Sequence, residues 1–528
     1  MPSRIPPHED DIILKFGGGI NTRASEDEIN NLECASGQNF ALDLENKEYR
    51  PRKPFDLVAT ATNAGAIRGF AQLLKSDGTI STLVQAGDTV YDWDGASTFT
   101  SKGTVNANAR LRGWLWHNFT LDDKVIITDL AGLENVKEWD GTTLQDVTFN
   151  TGITNFKAKY CFVDRDRAWY GGVNENSVDL THIIVASAVE DFNNISVSSK
   201  PSSGATGTDP FYLVAPDLRP LNSLISAFGR VVFSTREGNV YYLTGKDKTD
   251  YAVEQLAPRS FASGDEAMAF IGNDIIYGRP GRIELISSTD KFGNVETDDV
   301  SRVIANEIEA EKTWQIAYNG RLDKAYFLPS ETDQIWVLHK PLLGSELSPW
   351  SRWRTEVSVG FSPSCMMNLI NPQTGVENVY FGGTDGTIYM VEGTGTGGDA
   401  GTDDIVTSRR SKLFPFPLDA EAFRVEGWIK YRREEAASVS ISLLWGGQAP
   451  ENAVINVSIP ASPTRPVYGG SLYYGGGNYY GTGFRSRLVR RPISIVGQGT
   501  DLQIEVAVTG KNTFSINEVG LRFVAAKT

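Results

Sequence analysis

Between residues 66 and 395 the chain is a succession of short apolar runs cut by polar turns. STLVQAGDTVYDWDG (81–95) reads as strand, turn, strand, and KVIITDLAGLENVKEWDG (124–141) repeats the arrangement. RVVFSTREGNVYYLTG (230–245) and DIIYGRPGRIELIS (274–287) match strand for strand, followed by KAYFLPSETDQIWVLH (324–339) and ENVYFGGTDGTIYMVEG (377–393). Apolar residues alternate within each run, and Asp-Gly, Glu-Gly or Pro-Gly turns link the runs, as in antiparallel hairpins. Units of roughly 40–50 residues with about four short strands are a propeller pattern. Six to seven such units fit between 66 and 395.

The phrase acid-Trp-Asp-Gly occurs twice in this region, at Trp93 and Trp139. It reads as blade architecture, with the indole packing and Asp-Gly turning the chain. The competing reading gives the two tryptophans a carbohydrate-stacking role. One stretch breaks the rhythm: DDVSRVIANEIEAEK (298–312) carries apolar residues at 300, 303, 304 and 308, a helical stripe.

Outside the repeats the pattern changes. Residues 1–65 read as an N-terminal arm, with Ser25 and Glu28 placed as a capping box for a short helix over about 26–34. The run Gly17-Gly18-Gly19 lacks the Gly-Lys-Ser/Thr ending of a phosphate loop and reads as a backbone turn. Residues 396–404 are a Gly-rich linker by composition. From 405 to 528, FRVEGWIKYRRE (423–434), SVSISLLWG (438–446) and PISIVGQGTDLQIEVAV (492–508) alternate as half-buried strands do, which predicts a β-sandwich. The fold expected is thus all-β, a β-propeller with an N-terminal arm and a C-terminal β-sandwich.

A chain of 528 residues exceeds the roughly 250–300 at which one core stops growing, in keeping with several domains. The formal charge of −15 disfavours tight nucleic-acid binding by the whole molecule. Basic residues outnumber acidic ones in 405–528, so the acidic excess lies in the remainder, a split that suits neighbours docking acid to base. The opening MPSRIPPHEDD has no basic n-region or apolar core, and no apolar run approaches the ~18 residues of a membrane span, so neither secretion nor membrane insertion is expected. The three cysteines, Cys34, Cys161 and Cys365, form no CxxC and are expected to be reduced and buried.

Catalytic signatures do not emerge. His8, His117, His182 and His339 lack metal-site spacing, and no GxSxG elbow occurs. Asp164-Arg165-Asp166-Arg167 is the densest charge cluster and reads as cross-strand ion pairing. Catalytic, metal and cofactor-binding residues are therefore assigned to none, and the chain is read as not an enzyme. The Gly/Tyr stretch VYGGSLYYGGGNYYGTGFRSRLVRR (467–491) is too long for an idle loop. Its Tyr473, Tyr474, Tyr479 and Tyr480, with Arg485, Arg487, Arg490 and Arg491, are the candidate interface residues, since Tyr and Arg concentrate in protein interfaces.

The order of parts resembles a known family. FGGGINTRASEDE, GQNFALD, YRPRKPFD, DRDRAWYGG followed by IIVASAVEDFNN, LISAFGRVVFSTREGNVYYLTG and SPWSRWR carry the resemblance, together with the Gly/Tyr loop and the terminal sandwich. It is to the tail nozzle proteins of short-tailed bacteriophages, also described as tail tubular or packaged-DNA stabilisation proteins. The resemblance implies a homo-oligomeric ring, commonly a hexamer, below the portal and its head-tail adaptor. Such a ring holds packaged genomic DNA, conducts it at ejection without sequence-specific binding, and offers attachment surfaces for tail fibres or spikes. The expected location is the virion tail, after assembly in the host cytoplasm. Two other readings stand beside it: a receptor-binding or polysaccharide-degrading tail protein, and a cellular propeller serving as an interaction platform.

Overall fold

In a computed structural model, the structure describes residues 10–25, 28–42, 49–63, 65–117, 123–149, 153, 155–196, 208–227, 229–245, 250–257, 259–287, 296–330, 332–354, 362–393, 399, 404–415, 423–432, 437–445, 454–459, 489–495, 501–510 and 515–525. The fold is all-β, built of several four-stranded antiparallel sheets and larger ones. Two compact units emerge: Asp56–Ile335 with Val359–Val391, and Met1–Phe55 with Trp336–Ser358 and Glu392–Thr528.

In the first unit the sheets are built mainly of sequential hairpins. Ile67–Leu74, Ile80–Ala86, Thr89–Trp93 and Phe99–Thr104 pair in sequence. Leu111–Trp116, Lys124–Asp129, Lys137–Trp139 and Leu144–Asp146 do the same. A single parallel pairing, Arg112 with Phe70, joins the two into an eight-stranded sheet. Phe156–Asp164 opens the next meander, Leu221–Ala227 the one after, and Met268–Ile271 a third. Trp314–Asn319 pairs with Lys324–Pro329. Pro363–Ile370 opens the last sheet, whose fourth strand is Asp56–Thr60, from the far end of the unit in sequence.

The first strands of these sheets form a closed cycle. Ile67–Leu74 contacts Leu111–Trp116, which contacts Phe156–Asp164, then Leu221–Ala227, Met268–Ile271, Trp314–Asn319 and Pro363–Ile370, and the last contacts the first again. Clusters of buried apolar side chains fill the spaces between successive sheets. Trp93, Phe70, Val84, Tyr380 and Ile388 share one such cluster, in which the first and last sheets meet. Trp116, Tyr170, Phe156 and Val185 share another. Amide side chains stitch neighbouring first strands: Gln72 donates to Ile370 O (2.7 Å) and accepts from Ile370 N (2.9 Å). Cyclic packing of four-stranded sheets is propeller-type architecture.

The second unit holds two six-stranded sheets. One runs Phe40–Leu42, Tyr49–Pro51, Ser515–Ala525, Phe423–Arg432, Val489–Ile495, with Asp10–Leu14 also on Ser515–Ala525. The other runs Ser36–Gln38, Ile405–Arg410, Asp501–Gly510, Ala437–Trp445, Val454–Ile459, with Phe414–Pro415 also on Asp501–Gly510. Alternate residues Val439, Ile441, Leu443 and Ile504, Val506, Val508 are buried, the pattern of a sheet with one covered face. The N-terminal strands pair directly with C-terminal ones, so the arm is built into this unit.

Three local expectations are corrected. Over 28–34, the described part of the expected helix, the chain forms turns, with Glu28 N bonded to Ser25 O and Glu33 N to Asn30 O, and not a helix; residues 26 and 27 lie outside the described residues. Bonds from Gly17 N and Gly18 N to Leu32 O hold it as a loop against the glycine run. Gly19 is needed for close approach, since a Cβ there would lie 1.9 Å from Trp350 O. The 298–312 stripe shrinks to a 3₁₀ turn, Arg302–Ile304, and an α turn, Ala305–Ile308. Its Ile304 and Ile308 are buried as the stripe required, but Asp299 ends a strand and holds Ser301 N (3.1 Å), which leaves room for about two turns. Arg165 and Asp166, lastly, are the left-handed pair (φ 50° and 59°) of a hairpin turn closed by Asp164 and Arg167, so the cluster is a turn and not a charged strand face.

Candidate functional site

Of the predicted interface residues, Tyr473, Tyr474, Tyr479, Tyr480, Arg485 and Arg487 lie outside the described residues. Arg490 and Arg491 fall on Val489–Ile495, opposite Trp428 and Gly427 in the register of a sheet.

The repeated Trp-Asp-Gly phrase resolves into a turn. Trp93 and Trp139 are 1% and 0% exposed, with their indole N–H groups donating to Ala96 O (2.8 Å) and Ser81 Oγ (3.1 Å). Asp94 Oδ1 accepts from Ala96 N (2.8 Å) and Thr98 N (3.0 Å), and Asp140 Oδ1 from Thr142 N and Thr143 N (both 2.7 Å). Gly95 and Gly141 follow with φ of 86° and 93°. Neither indole face is available to a sugar.

The other chemistry-bearing residues are spoken for. His117 pairs through Nδ1 with Asp123, whose other oxygen accepts from Ser76 N (2.6 Å). His339, buried, bonds Ser351 Oγ (3.1 Å). All three cysteines are buried. Among the described residues no group of three or more His, Cys, Asp or Glu is arranged to hold a metal.

A polar constellation lies inside the cycle of first strands. Arg112, on Leu111–Trp116, donates through Nη2 to Glu266 Oε2 (2.6 Å), through Nε to Glu266 Oε1, and through Nη1 to Leu111 O (3.0 Å). Glu266 precedes Met268–Ile271, which is not a neighbour of Leu111–Trp116 in the cycle, so the ion pair spans the interior. Arg110 Nη1 reaches Asp265 Oδ2 at 3.3 Å and its Nη2 reaches Glu266 Oε2 at 3.5 Å. Tyr160 OH, from Phe156–Asp164, donates to Asp265 Oδ1 (2.7 Å).

Electrostatics follow the geometry. Burial by itself would lower the Arg112 pKa, but the Glu266 carboxylate and its hydrogen bonds outweigh that and raise it above the ordinary value. Burial, then the Asp265 charge, raises the Tyr160 pKa well above its usual range, so the phenol keeps its proton and donates. The two acids are committed to guanidinium and phenol partners, which suits bracing and not proton transfer.

Two cavities flank this cluster. One, about 260 Å³, is lined by Arg112, Trp114, Tyr160, Glu266 and Met366 among others. The second, about 560 Å³, is lined by Arg110, Asp333, Ser362 and Thr384 among others. Asp265 borders both, so the ion-paired cluster is the wall between them. Sequence reasoning missed this cluster. The available signal was Arg112 itself, a guanidinium set inside an otherwise apolar strand, LRGWLW.

No family model matches the chain, and no curated protein matches it. Among solved structures the chain is similar to the WD40 domain of Toxoplasma gondii coronin, with 10% identity and a TM-score of 0.39, over 64% of this chain and 84% of that one. It is also similar to BBS1N, solved in complex with ARL6DN, with 10% identity and a TM-score of 0.38, over 65% of this chain and 99% of that one.

Proposed function

We propose that this chain is a structural subunit of the tail nozzle of a short-tailed bacteriophage, a ring below the portal and adaptor that retains packaged DNA and conducts it at ejection. The reading takes the cycle of first strands as a seven-bladed β-propeller closed by Asp56–Thr60, and the two six-stranded sheets as a sandwich. The observation that carries it is the axial cluster. With Arg112 and Glu266 bonded across the interior, the axis of a propeller is barred and is not a pipe, so on this reading the duct for DNA runs between subunits. The charge of −15 suits a wall along which phosphates slide without sticking. Homo-oligomeric contacts, the adaptor, and fibres or spikes are the partners on this reading, and the virion tail is its place.

Trp93 and Trp139 were the anchors of the rival glycan reading, and their burial removes that support. Electron microscopy of the purified chain, alone and with its adaptor, tests the proposal. Rings with an axial hole between subunits are expected; particles that stay monomeric in both conditions overturn it.

A further inference from the structure

The larger cavity beside the axial cluster has the chemistry of a binding site. At about 560 Å³ it falls within the roughly 300–1,000 Å³ of small-molecule pockets. Two neighbouring arginines differ: Arg110, just before the Leu111–Trp116 strand, lines this cavity, and Arg112, on that strand, lines the smaller one. Arg112 is committed, with a 2.6 Å bond to Glu266 and a side chain 5% exposed. Arg110 holds its acids only at 3.3 and 3.5 Å with 29% exposure, well beyond the ~2.7–2.9 Å of a full charge-assisted bond. Arg110 therefore keeps donor capacity towards the cavity.

The rest of the lining decides what the ligand is. Among the described lining residues one guanidinium, Arg110, meets two carboxylates, Asp265 and Asp333, so an added anion meets net repulsion. A permanent cation would compete with Arg110 for Asp265. Ser330, Ser362 and Thr384 add hydroxyls, while Leu328, Pro329 and Pro363 give apolar surface. A ligand whose adjacent groups each donate and accept, and whose other face is C–H, satisfies donor-only guanidinium, acceptor-only carboxylate and proline together. We propose that this cavity binds a neutral polyol, one or two linked sugar rings, either free or as the end of a longer glycan. The proposal is independent of the nozzle reading, because it concerns a pocket within one subunit.

The test is the full-length protein on an array of neutral, sialylated and sulfated glycans, followed by calorimetry with the strongest free oligosaccharide. Binding to neutral glycans is expected, with affinity reduced about tenfold or more by Arg110→Met and by Thr384→Val. Trp93→Phe should leave it unchanged, and circular dichroism checks that each variant folds. Binding by the free oligosaccharide equal to that of the immobilised chain marks a free sugar as ligand; a requirement for the longer chain marks a glycan end. No neutral glycan bound, binding confined to charged glycans, or affinity unaltered in Thr384→Val overturns the assignment.

Discussion

Arg52 grips both carboxylate oxygens of Asp399, a residue 347 positions away, at 2.8 and 2.5 Å with both side chains fully buried. The guanidinium also donates to Asn39 Oδ1 (3.2 Å), Lys53 O (3.0 Å) and Arg354 O (2.8 Å), and lies 3.8 Å over the Phe55 ring. Asp399 Oδ1 in turn accepts from Phe55 N (3.0 Å). A buried pair so completely bonded is costly to break from one side, because the remaining charge has no water. Asp399→Asn should therefore lose about 3–5 kcal/mol in urea unfolding. Replacing both partners, as Arg52→Met with Asp399→Leu, should lose much less. Equal losses for the single and the double variant would mean that packing, not charge, is what Asp399 supplies.

Residues 393–404 illustrate what composition hides. Glycine and threonine density marks a linker, and nothing in the string GTGTGGDAGTDD marks Asp399 as buried. Burial of Asp399 is decided by Arg52, which is visible only once the fold brings the two together. Period-two alternation and Asp-Gly turns, by contrast, are local, and so the strands from 66 to 395 were legible. The 298–312 stripe shows the limit of periodicity: Ile304 and Ile308 are core residues in correct register, but neighbours on both sides end the helix. The axial cluster escaped for the Arg52 reason. Arg112 and Glu266 are separated by whole sheets, and no spacing rule links them.

The second Trp-Asp-Gly turn separates packing from recognition. Trp139 is fully buried, and truncation to Ala should cost about 3–5 kcal/mol as other large aromatic truncations do. Gly141 has φ of 93° and an added Cβ would lie 2.8 Å from Lys75 Nζ, so Gly141→Ala should also destabilise, through the backbone. Asp140→Ala, which strips the acceptor from Thr142 N and Thr143 N, should cost less, about 1 kcal/mol. Thermal unfolding ranks the three. A stable Trp139→Ala protein would reopen a surface role for the indole.

The thiols should be silent in the native state. Burial pushes Cys34 up to about 11 despite the nearby Arg409 charge, and burial likewise raises Cys161 and Cys365. Thiolate is the reactive species, so at pH 8 little of any is present. Titration with Ellman's reagent should release almost no colour from folded protein and three equivalents in urea. A fast equivalent from the folded chain would identify a site that opens locally.

Acid sensitivity should trace in part to Asp123. The Ser76 backbone N–H, first, and the His117 ring, second, hold its carboxyl down from the usual 3.8 to about 2. A folded-state pKa below the unfolded one means that the ionised form is preferred in the native protein. The stabilisation is therefore complete above about pH 3.8 and is lost as pH falls through about 2. Asp123 ties the hairpin tip at Ser76 to the end of the Leu111–Trp116 strand, so its protonation loosens the join between two meanders of the eight-stranded sheet. Urea midpoints measured from pH 5 to pH 2 should fall more steeply for the natural protein than for Asp123→Asn, which lacks the titration. His117→Ala should take away part of that difference and leave the share due to Ser76. Parallel curves for the natural protein and Asp123→Asn would show that this carboxylate titrates alike in folded and unfolded chains.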